Sequence, residues 1–318
     1  MRSDVGMIET ALLVWAFLGL GLMGLGVSWR DPRAHLLRAA GWMVFGLYWP
    51  SQASHYFEVR DPFNAWASLF APLLTGYIAF HEWRSYRWGE DPVALRWLTG
   101  ATFVAATTYF VLFQIKPIQE EVIFWTGVES AWMSDLLFGT RSVAWQEPFI
   151  GQDGYRATHI CLDQGYYNDY RSQFCSGVAQ AGFPYYAVTI IFACTALQSI
   201  MIFVGAIAFT SAPLARKMKA YLWTVPTIYV LNLFRNAGIV YGYRVKGWSM
   251  FGIDSFEFMH SYIGKTGALL ALVLIALAVF RTLPELHENI LDVLDLPKRK
   301  RAQPPAAPAA PSAAAAGK

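Results

Sequence analysis

Residues 258–280 read FMHSYIGKTGALLALVLIALAVF, and every residue from Ala268 to the end of this stretch is apolar. A helix needs about 20 mostly apolar residues to cross the hydrocarbon core of a bilayer, so the stretch predicts a transmembrane helix. The rest of the chain has the same character, since 55% of its 318 residues are hydrophobic and only 15% are charged. An ordinary soluble protein has about 25% charged residues. We therefore expect a membrane protein that crosses the bilayer several times.

Seven segments of the sequence approach the length and apolarity that a transmembrane helix requires. They predict an all-α polytopic membrane protein with about seven transmembrane helices and one long extracytoplasmic loop. The first segment is too long, and its start too weakly cationic, for a cleaved signal peptide, so it is counted as a span. The segments are residues 6–27, 34–56, 62–80, 95–113, 185–209, 221–241 and 258–280.

The spans divide the chain into four predicted regions. Residues 1–114 form an N-terminal membrane region of four helices, residues 115–184 the long loop, and residues 185–282 the remaining membrane helices. Residues 283–318 form a short cytoplasmic helix and an Ala/Pro-rich tail that we expect to be disordered. Within the loop, apolar residues at steps of three and four predict an amphipathic helix over residues 116–139. This helix lies on the outer membrane surface or over the core of the loop itself, and both placements stay open.

Basic residues predict the orientation of the chain in the membrane, because short cytoplasmic loops are enriched in Lys and Arg. Arg84 and Arg87 follow the third span, Arg216 and Lys217 follow the fifth, and a basic run at residues 298–301 follows the last. These loops are therefore cytoplasmic. The N-terminus and the long loop are then outside the cell, the C-terminus is inside, and the protein is a multi-pass protein of the cell membrane.

Arg235 is a charged residue within a predicted span, roughly 9 Å below its outer end at 1.5 Å per residue. Charged side chains at this depth are costly and often functional. Asn232 lies one helical step from both Arg235 and Asn236, so the three residues share a face. One interpretation is an arginine that reaches up to the outer headgroups. The two asparagines favour the other interpretation, which is a buried polar site.

Cys194 lies nine residues into the span predicted at 185–209. A buried cysteine often acts only as a small hydrophobic residue. Here Thr195, Gln198 and Ser199 are expected to form a polar stripe beside it. A thiolate is a strong nucleophile, and a nearby cation such as Arg235 would stabilise it.

His260 begins the last span at its outer end. Taken alone, it is a simple interfacial residue. The predicted topology nevertheless places Cys194, Arg235 and His260 all in the outer half of the membrane, and this agreement favours a shared site.

Cys161 and Cys175 both fall in the long outer loop. Two thiols outside the cytoplasm favour a disulfide, which would stabilise the fold by about 3 kcal/mol if unstrained. A metal site of His159, Cys161, Asp163 and Cys175 is an alternative, although its spacing matches no specific zinc pattern. Two free thiols are the third possibility. Mass spectrometry of the peptides that contain Cys161 and Cys175, prepared without reductant, would decide among the three possibilities. If both cysteines were alkylated, the disulfide would be rejected.

Three short motifs on successive predicted helices resemble those of the exosortase/archaeosortase family, and most closely its archaeosortase branch. They are Ala-Cys-Thr-Ala-Leu-Gln-Ser at residues 193–199, Asn-Leu-Phe-Arg-Asn at 232–236 and His-Ser-Tyr-Ile-Gly at 260–264. The resemblance covers the second half of the membrane region, and the multi-span layout fits the rest. It implies a membrane-embedded cysteine transpeptidase. The implied substrate is a secreted or surface protein, such as a surface-layer glycoprotein, with a C-terminal sorting signal of the Pro-Gly-Phe type.

The resemblance also implies a role for each residue. Cys194 is the nucleophile and forms an acyl-thioester, Arg235 is the proton donor, and His260 occupies the third catalytic position. Histidine holds that position in many exosortases, whereas archaeosortases are associated with arginine there. Because a guanidinium resists deprotonation, we expect Arg235 to stabilise the oxyanion and His260 to carry the proton. The implied acceptor is a membrane phospholipid.

Two functions from other classes stay open at this point. One is a transporter or assembly factor with a buried arginine. The other is a seven-helix retinal protein with Lys265 as the Schiff-base residue, although its span carries no carboxylate one or two turns away as a counter-ion. The net charge of +3 is too small to suggest a nucleic-acid partner, and we expect no cofactor.

Overall fold

The structure is a computed structural model that describes residues 2–58, 61–147, 150–151, 154–162 and 185–301. Residues 2–11 and 185–187 are described by their secondary structure alone. The described chain is mostly helical. The N-terminal helices are α1 (Arg2–Ser28), α2 (Ala34–Tyr48), α3 (Ala53–Glu58), α4 (Pro62–Trp88), α5 (Val93–Gln114) and α6 (Lys116–Phe138). The C-terminal helices are α7 (Leu197–Phe209), α8 (Leu214–Val240), α9 (Ser255–Thr282) and α10 (Pro284–Leu294).

Helices α1 and α2 pack closely because glycines face each other across their contact. A Cβ on Gly19 would lie 2.6 Å from the backbone nitrogen of Phe45, and one on Gly41 would lie 2.8 Å from the carbonyl oxygen of Gly19. Small residues of this kind let helix backbones approach in membranes. The pair then packs against α4 and α5, which builds the N-terminal part of the bundle.

A three-stranded antiparallel sheet lies between the two halves of the helical chain. Its strands are β1 (Ser142–Gln146), β2 (Thr158–Leu162) and β3 (Tyr185–Ile190), in the order β1-β2-β3. Helix α6 packs on this sheet and follows α5 at a bend of 94°. The all-α prediction was therefore wrong in this region, because the loop contributes two strands and the chain that follows it contributes the third.

The span predicted at residues 185–209 is also corrected. Its first part is strand β3, a turn follows, and the helix α7 has only 13 residues. The β-branched run Val188, Thr189 and Ile190 fits a strand, and β3 pairs with β2 over this run. Apolar composition alone does not distinguish a buried strand from a helix, which is why the segment was predicted as one span.

Two described helices, α4 and α9, are long and apolar enough to cross a membrane, and the bent pair of α5 and α6 would make a third span. These helices support a membrane protein. The count of seven spans and the orientation stay predictions. The helix predicted at 116–139 is confirmed as α6, and the short helix predicted after the last span is confirmed as α10. The tail that begins at Ala302 lies outside the described residues.

The outward face of α6 carries its large apolar side chains. Trp125, Trp132 and Leu136 are all more than half exposed, whereas Ile123 and Ala131 are buried against the sheet. Helix α6 thus packs on the sheet through one face and leaves the apolar stripe of its other face exposed. Its placement on the membrane surface stays a prediction.

A buried charged cluster connects α2 and α4 at their predicted cytoplasmic ends. Arg38 is 1% exposed and its Nε lies 3.0 Å from Oε1 of Glu82, which is fully buried. His35 Nδ1 lies 2.6 Å from the other carboxylate oxygen of Glu82, and Arg38 Nη2 lies 2.8 Å from Asp91. Breaking such a buried pair costs about 3–5 kcal/mol, so the cluster fixes how the two helices pack.

Candidate active site

Cys194 lies in a tight turn between β3 and α7, not in the interior of a helix. Its backbone N–H donates to the carbonyl of Ile191 at 2.8 Å, and the Thr195 hydroxyl donates to the carbonyl of Phe192 at 2.7 Å. Ala196 follows with a φ of 63°, a conformation that is uncommon for a residue with a Cβ. The turn therefore presents Cys194 at the start of α7.

Two asparagines of α8 hold the backbone carbonyl of Cys194. Asn232 Nδ2 donates to this oxygen at 2.7 Å and Asn236 Nδ2 at 3.2 Å. Asn236 Nδ2 also donates to Ser130 Oγ of α6 at 3.1 Å. Because Asn236 is 3% exposed and Ser130 is fully buried, these bonds form where water does not compete. Three elements thus fix the position of Cys194.

Arg235 points to the same place from α8. Its Nη1 makes a long contact of 3.5 Å to Oδ1 of Asn236, the residue whose Nδ2 donates to the Cys194 carbonyl. The Nε atom is buried and has no hydrogen-bond partner among the described residues. Gly264 of α9 makes room for it, since a Cβ there would lie 3.2 Å from Nε. Arg235 therefore has donor capacity left for a further acceptor.

His260 joins the group from α9. It lies in the π-helical stretch Phe258–Gly264 and stacks on Phe256 with ring centroids 5.2 Å apart and planes 4° apart. Its electrostatic neighbours are Arg235 and the pair formed by Lys265 and Asp61. The structure thus places the three residues predicted to share a site on three neighbouring elements, the β3–α7 turn, α8 and α9. That they form one catalytic site stays a prediction.

The prediction that Thr195, Gln198 and Ser199 form a polar stripe beside Cys194 was wrong. Helix α7 begins only at Leu197, so Thr195 lies in the turn and caps it with its hydroxyl. Gln198 is exposed. Ser199 instead lines a cavity between α8 and α9.

Ser130 is the site residue that sequence reasoning missed. It lies on α6, which was predicted as a surface helix of the loop, and nothing in its local sequence connects it to Asn236. The available signal was the row of small polar residues Thr126, Ser130 and Ser134 at steps of four. All three are buried, and such residues often hydrogen-bond between helices in membranes.

The remaining candidates lie on the sheet or outside the described residues. Cys161 is buried on β2, and its neighbour His159 contacts Glu147 Oε1 at 3.0 Å and Thr189 Oγ1 at 3.1 Å. Cys175 and Asp163 lie outside the described residues, so the disulfide stays a prediction. Among the described residues, no group of His, Cys, Asp and Glu could hold a metal ion. Lys265 makes an ion pair with Asp61 at 2.6 Å.

This arrangement suits covalent chemistry. A thiol, a guanidinium with an unused donor and an imidazole lie on three neighbouring elements. A donor beside a nucleophile can stabilise the oxyanion that forms when a carbonyl is attacked, and an imidazole can transfer a proton near neutral pH. Groups of these three kinds can carry out thiol-dependent acyl transfer.

Comparison with known proteins gives one relative of nearly the same length. The chain is 26% identical to archaeosortase A of Haloferax volcanii over 302 residues, which cover 89% of this chain and 92% of the relative. No protein-family model matches the chain, and no solved structure matches it. The similarity to archaeosortase A extends over both halves of the chain, beyond the three motifs. It supports the membership of this chain in the exosortase/archaeosortase family, which those motifs predicted.

Proposed function

We propose that this protein is a membrane-embedded cysteine transpeptidase. In this proposal it cleaves the C-terminal sorting signal of a surface protein and transfers the new C-terminus to a membrane phospholipid. The similarity to archaeosortase A supports a sortase-like membrane transpeptidase in general. The observation that carries the finer proposal is the fixed turn of Cys194, held by Asn232 and Asn236 beside Arg235.

The first half of the reaction is acylation. The Cys194 thiolate attacks the scissile carbonyl, the new C–S bond forms, and the charge moves to the carbonyl oxygen. Arg235 donates hydrogen bonds to that oxyanion, for which its unpaired Nε is available. The C–N bond then breaks, and protonated His260 gives its proton to the leaving amine.

The second half transfers the acyl group to the acceptor. The headgroup nucleophile of the phospholipid attacks the thioester carbonyl and loses its proton to His260. The C–S bond breaks and the Cys194 thiolate is restored. Splitting the reaction into two steps through a thioester makes each barrier lower than that of direct transfer.

The roles of the remaining residues follow from their contacts. Asn232 and Asn236 position the nucleophile through its own carbonyl, and Thr195 stabilises the turn through its hydroxyl. Gln198, which is exposed, has no role in this mechanism. The substrate signal is of the Pro-Gly-Phe type, and the reaction uses no cofactor.

The test is the substitution Cys194→Ala in cells that produce the protein together with a surface protein carrying such a signal. Mass spectrometry of the substrate C-terminus should show processing by the wild-type protein and none by the variant. Removal of one sulfur should cost on the order of 1 kcal/mol of stability, so the variant should be expressed and inserted normally. Ordinary processing by a Cys194→Ala protein would make Cys194 a packing residue and end the proposal.

A further inference from the structure

A cavity of about 350 Å³ lies between α8 and α9, directly beside the Cys194 turn. Ile239 and Met259 line one end of the cavity, and Ile228 and Ile275 line the other. Between these ends, Ala196, Asn232 and Arg235 line the wall on the side of the Cys194 turn. The wall is otherwise almost entirely apolar, so the cavity is an apolar channel with one charged side chain in its wall.

The dimensions of this channel fit one hydrocarbon chain. Along α8 it runs from Ile228 to Ile239, a length of about 16 Å at 1.5 Å per residue. Dividing the volume of about 350 Å³ by this length gives about 22 Å² for the area open to the centre of a water molecule. Adding the water radius of about 1.4 Å on every side gives a full cross-section of about 50 Å². A helix 10–12 Å across has a cross-section of about 80–110 Å². The transmembrane helix of a sorting signal is therefore too wide to enter.

The channel opens sideways rather than into the core. Phe234 and Ile263 form part of its rim and are 43% and 50% exposed. On a helix that spans the membrane, exposed apolar residues face lipid. A lipid chain could therefore enter between the two helices without leaving the bilayer.

The charged part of the wall is complementary to a lipid headgroup. Arg235 lines the cavity, and its buried Nε has no hydrogen-bond partner among the described residues. A guanidinium carries five N–H donors, so Arg235 can bind a phosphate oxygen through its Nη atoms while Nε donates to the oxyanion. Among the described residues, no acidic side chain lines the cavity, so an anion would meet no like charge from them.

We propose that this channel is the binding site of the acceptor phospholipid, with one acyl chain between α8 and α9 and the phosphate at Arg235. The inference rests on the proposed function and adds where the acceptor binds. The headgroup then lies next to Cys194. There its nucleophile forms a bond to the acyl carbon, the C–S bond breaks, and the proton of the nucleophile passes through His260.

Two glycines in the channel wall allow a direct test. Gly238 on α8 and Gly267 on α9 both line the channel, and a Cβ on either would meet no atom within 4 Å. The substitutions Gly267→Leu and Gly238→Leu therefore fill the channel without a clash at Cβ. Gly21→Leu on α1 is the matched control, because its Cβ also meets nothing within 4 Å and it lies outside the channel wall.

The experiment uses purified full-length protein in vesicles of phosphatidylethanolamine and phosphatidylglycerol with a sorting-signal peptide. Acyl-enzyme and lipid-linked product are measured by mass spectrometry. We expect both channel variants to accumulate acyl-enzyme and to lose at least tenfold in lipid-linked product, while Gly21→Leu resembles the wild type. Unchanged lipid transfer in both channel variants would overturn the inference.

Two further outcomes separate this inference from the proposed function. If the channel variants lose acyl-enzyme formation while Gly21→Leu keeps it, the channel binds the substrate peptide and the lipid assignment is wrong. If the wild-type protein forms no acyl-enzyme at all, the proposed function itself fails and the inference falls with it. A phospholipid with a photoreactive acyl chain adds a check, since it should crosslink to the peptide that contains Ile263 in Gly21→Leu but not in Gly267→Leu.

Discussion

Asn232 and Asn236 contact Cys194 through its backbone carbonyl. Both donate to that oxygen, which fixes the position of the residue through its main chain. Catalytic groups must be held close to their productive geometry by residues that are themselves fixed. Ser130 on α6 holds Asn236 in place by accepting a hydrogen bond from its Nδ2.

Removal of the Ser130 hydroxyl should slow the enzyme without unfolding it. Ser130→Ala deletes one buried hydrogen bond, worth about 1 kcal/mol, and this predicts a loss of roughly fivefold in the acylation rate. Ser134→Ala is the matched control, because Ser134 is equally buried on α6 but bonds to Thr140 instead. Acylation rates and thermal unfolding of both variants check the prediction. Equal rates for the two variants would mean that Ser130 does not position the site.

Arg235→Lys should be strongly impaired although it keeps the positive charge. A lysine is a single point donor, whereas the planar guanidinium can hold an oxyanion and a neighbouring group together. Loss of an oxyanion donor costs roughly 10²–10³-fold in rate, and we expect a fall of this order in substrate processing. Arg216→Lys, at the half-buried pair with Glu285, is the control. Near-normal processing by the Arg235→Lys variant would show that charge alone is sufficient.

At the scale of elements, the sequence predicted some parts well and others poorly, and the reason is physical. The positions of Arg235, Asn232 and Asn236 on one face of α8 follow from helical periodicity, and the structure places both asparagines at Cys194. The segment at 185–209 was predicted wrongly because its apolar run contains both a strand and a helix. What separates them is the pairing of β3 with β2, a long-range contact that local composition does not encode.

The contact between α2 and α4 also could not be predicted from the sequence. The pattern of basic residues places Arg38 near a cytoplasmic loop, yet its side chain is 1% exposed and pairs with Glu82. Their partnership depends on how two helices pack, and periodicity within each helix does not reveal it. Buried charges of this kind are expected only where each finds its partner.

Arg38→Met should therefore destabilise the bundle strongly. It leaves the buried carboxylate of Glu82 without its arginine, at a cost of about 3–5 kcal/mol. The double variant Arg38→Met with Glu82→Leu removes both charges and should recover most of this loss. Thermal unfolding in detergent compares these two variants with the wild type. A single variant as stable as the wild type would show that the pair does not hold the helices.

At the scale of the whole molecule, the two helical halves of the described chain meet around one sheet. The N-terminal half contributes α6 and Ser130, and the C-terminal half contributes Cys194, Arg235 and His260. The sheet sets the start of α7, because β3 leads directly into the Cys194 turn. The site thus depends on both halves, in agreement with a similarity to archaeosortase A that covers 89% of the chain.

The central claim is that Cys194 forms a thioester with the substrate, and intact-protein mass spectrometry tests it most directly. Purified protein is incubated with a sorting-signal peptide in detergent without acceptor lipid. The account predicts a mass increase equal to the N-terminal peptide fragment less one water, mapped to the peptide that contains Cys194 and missing in Cys194→Ser. An adduct that persists in Cys194→Ser, or cleavage of the peptide by the wild-type protein without any adduct, would contradict it.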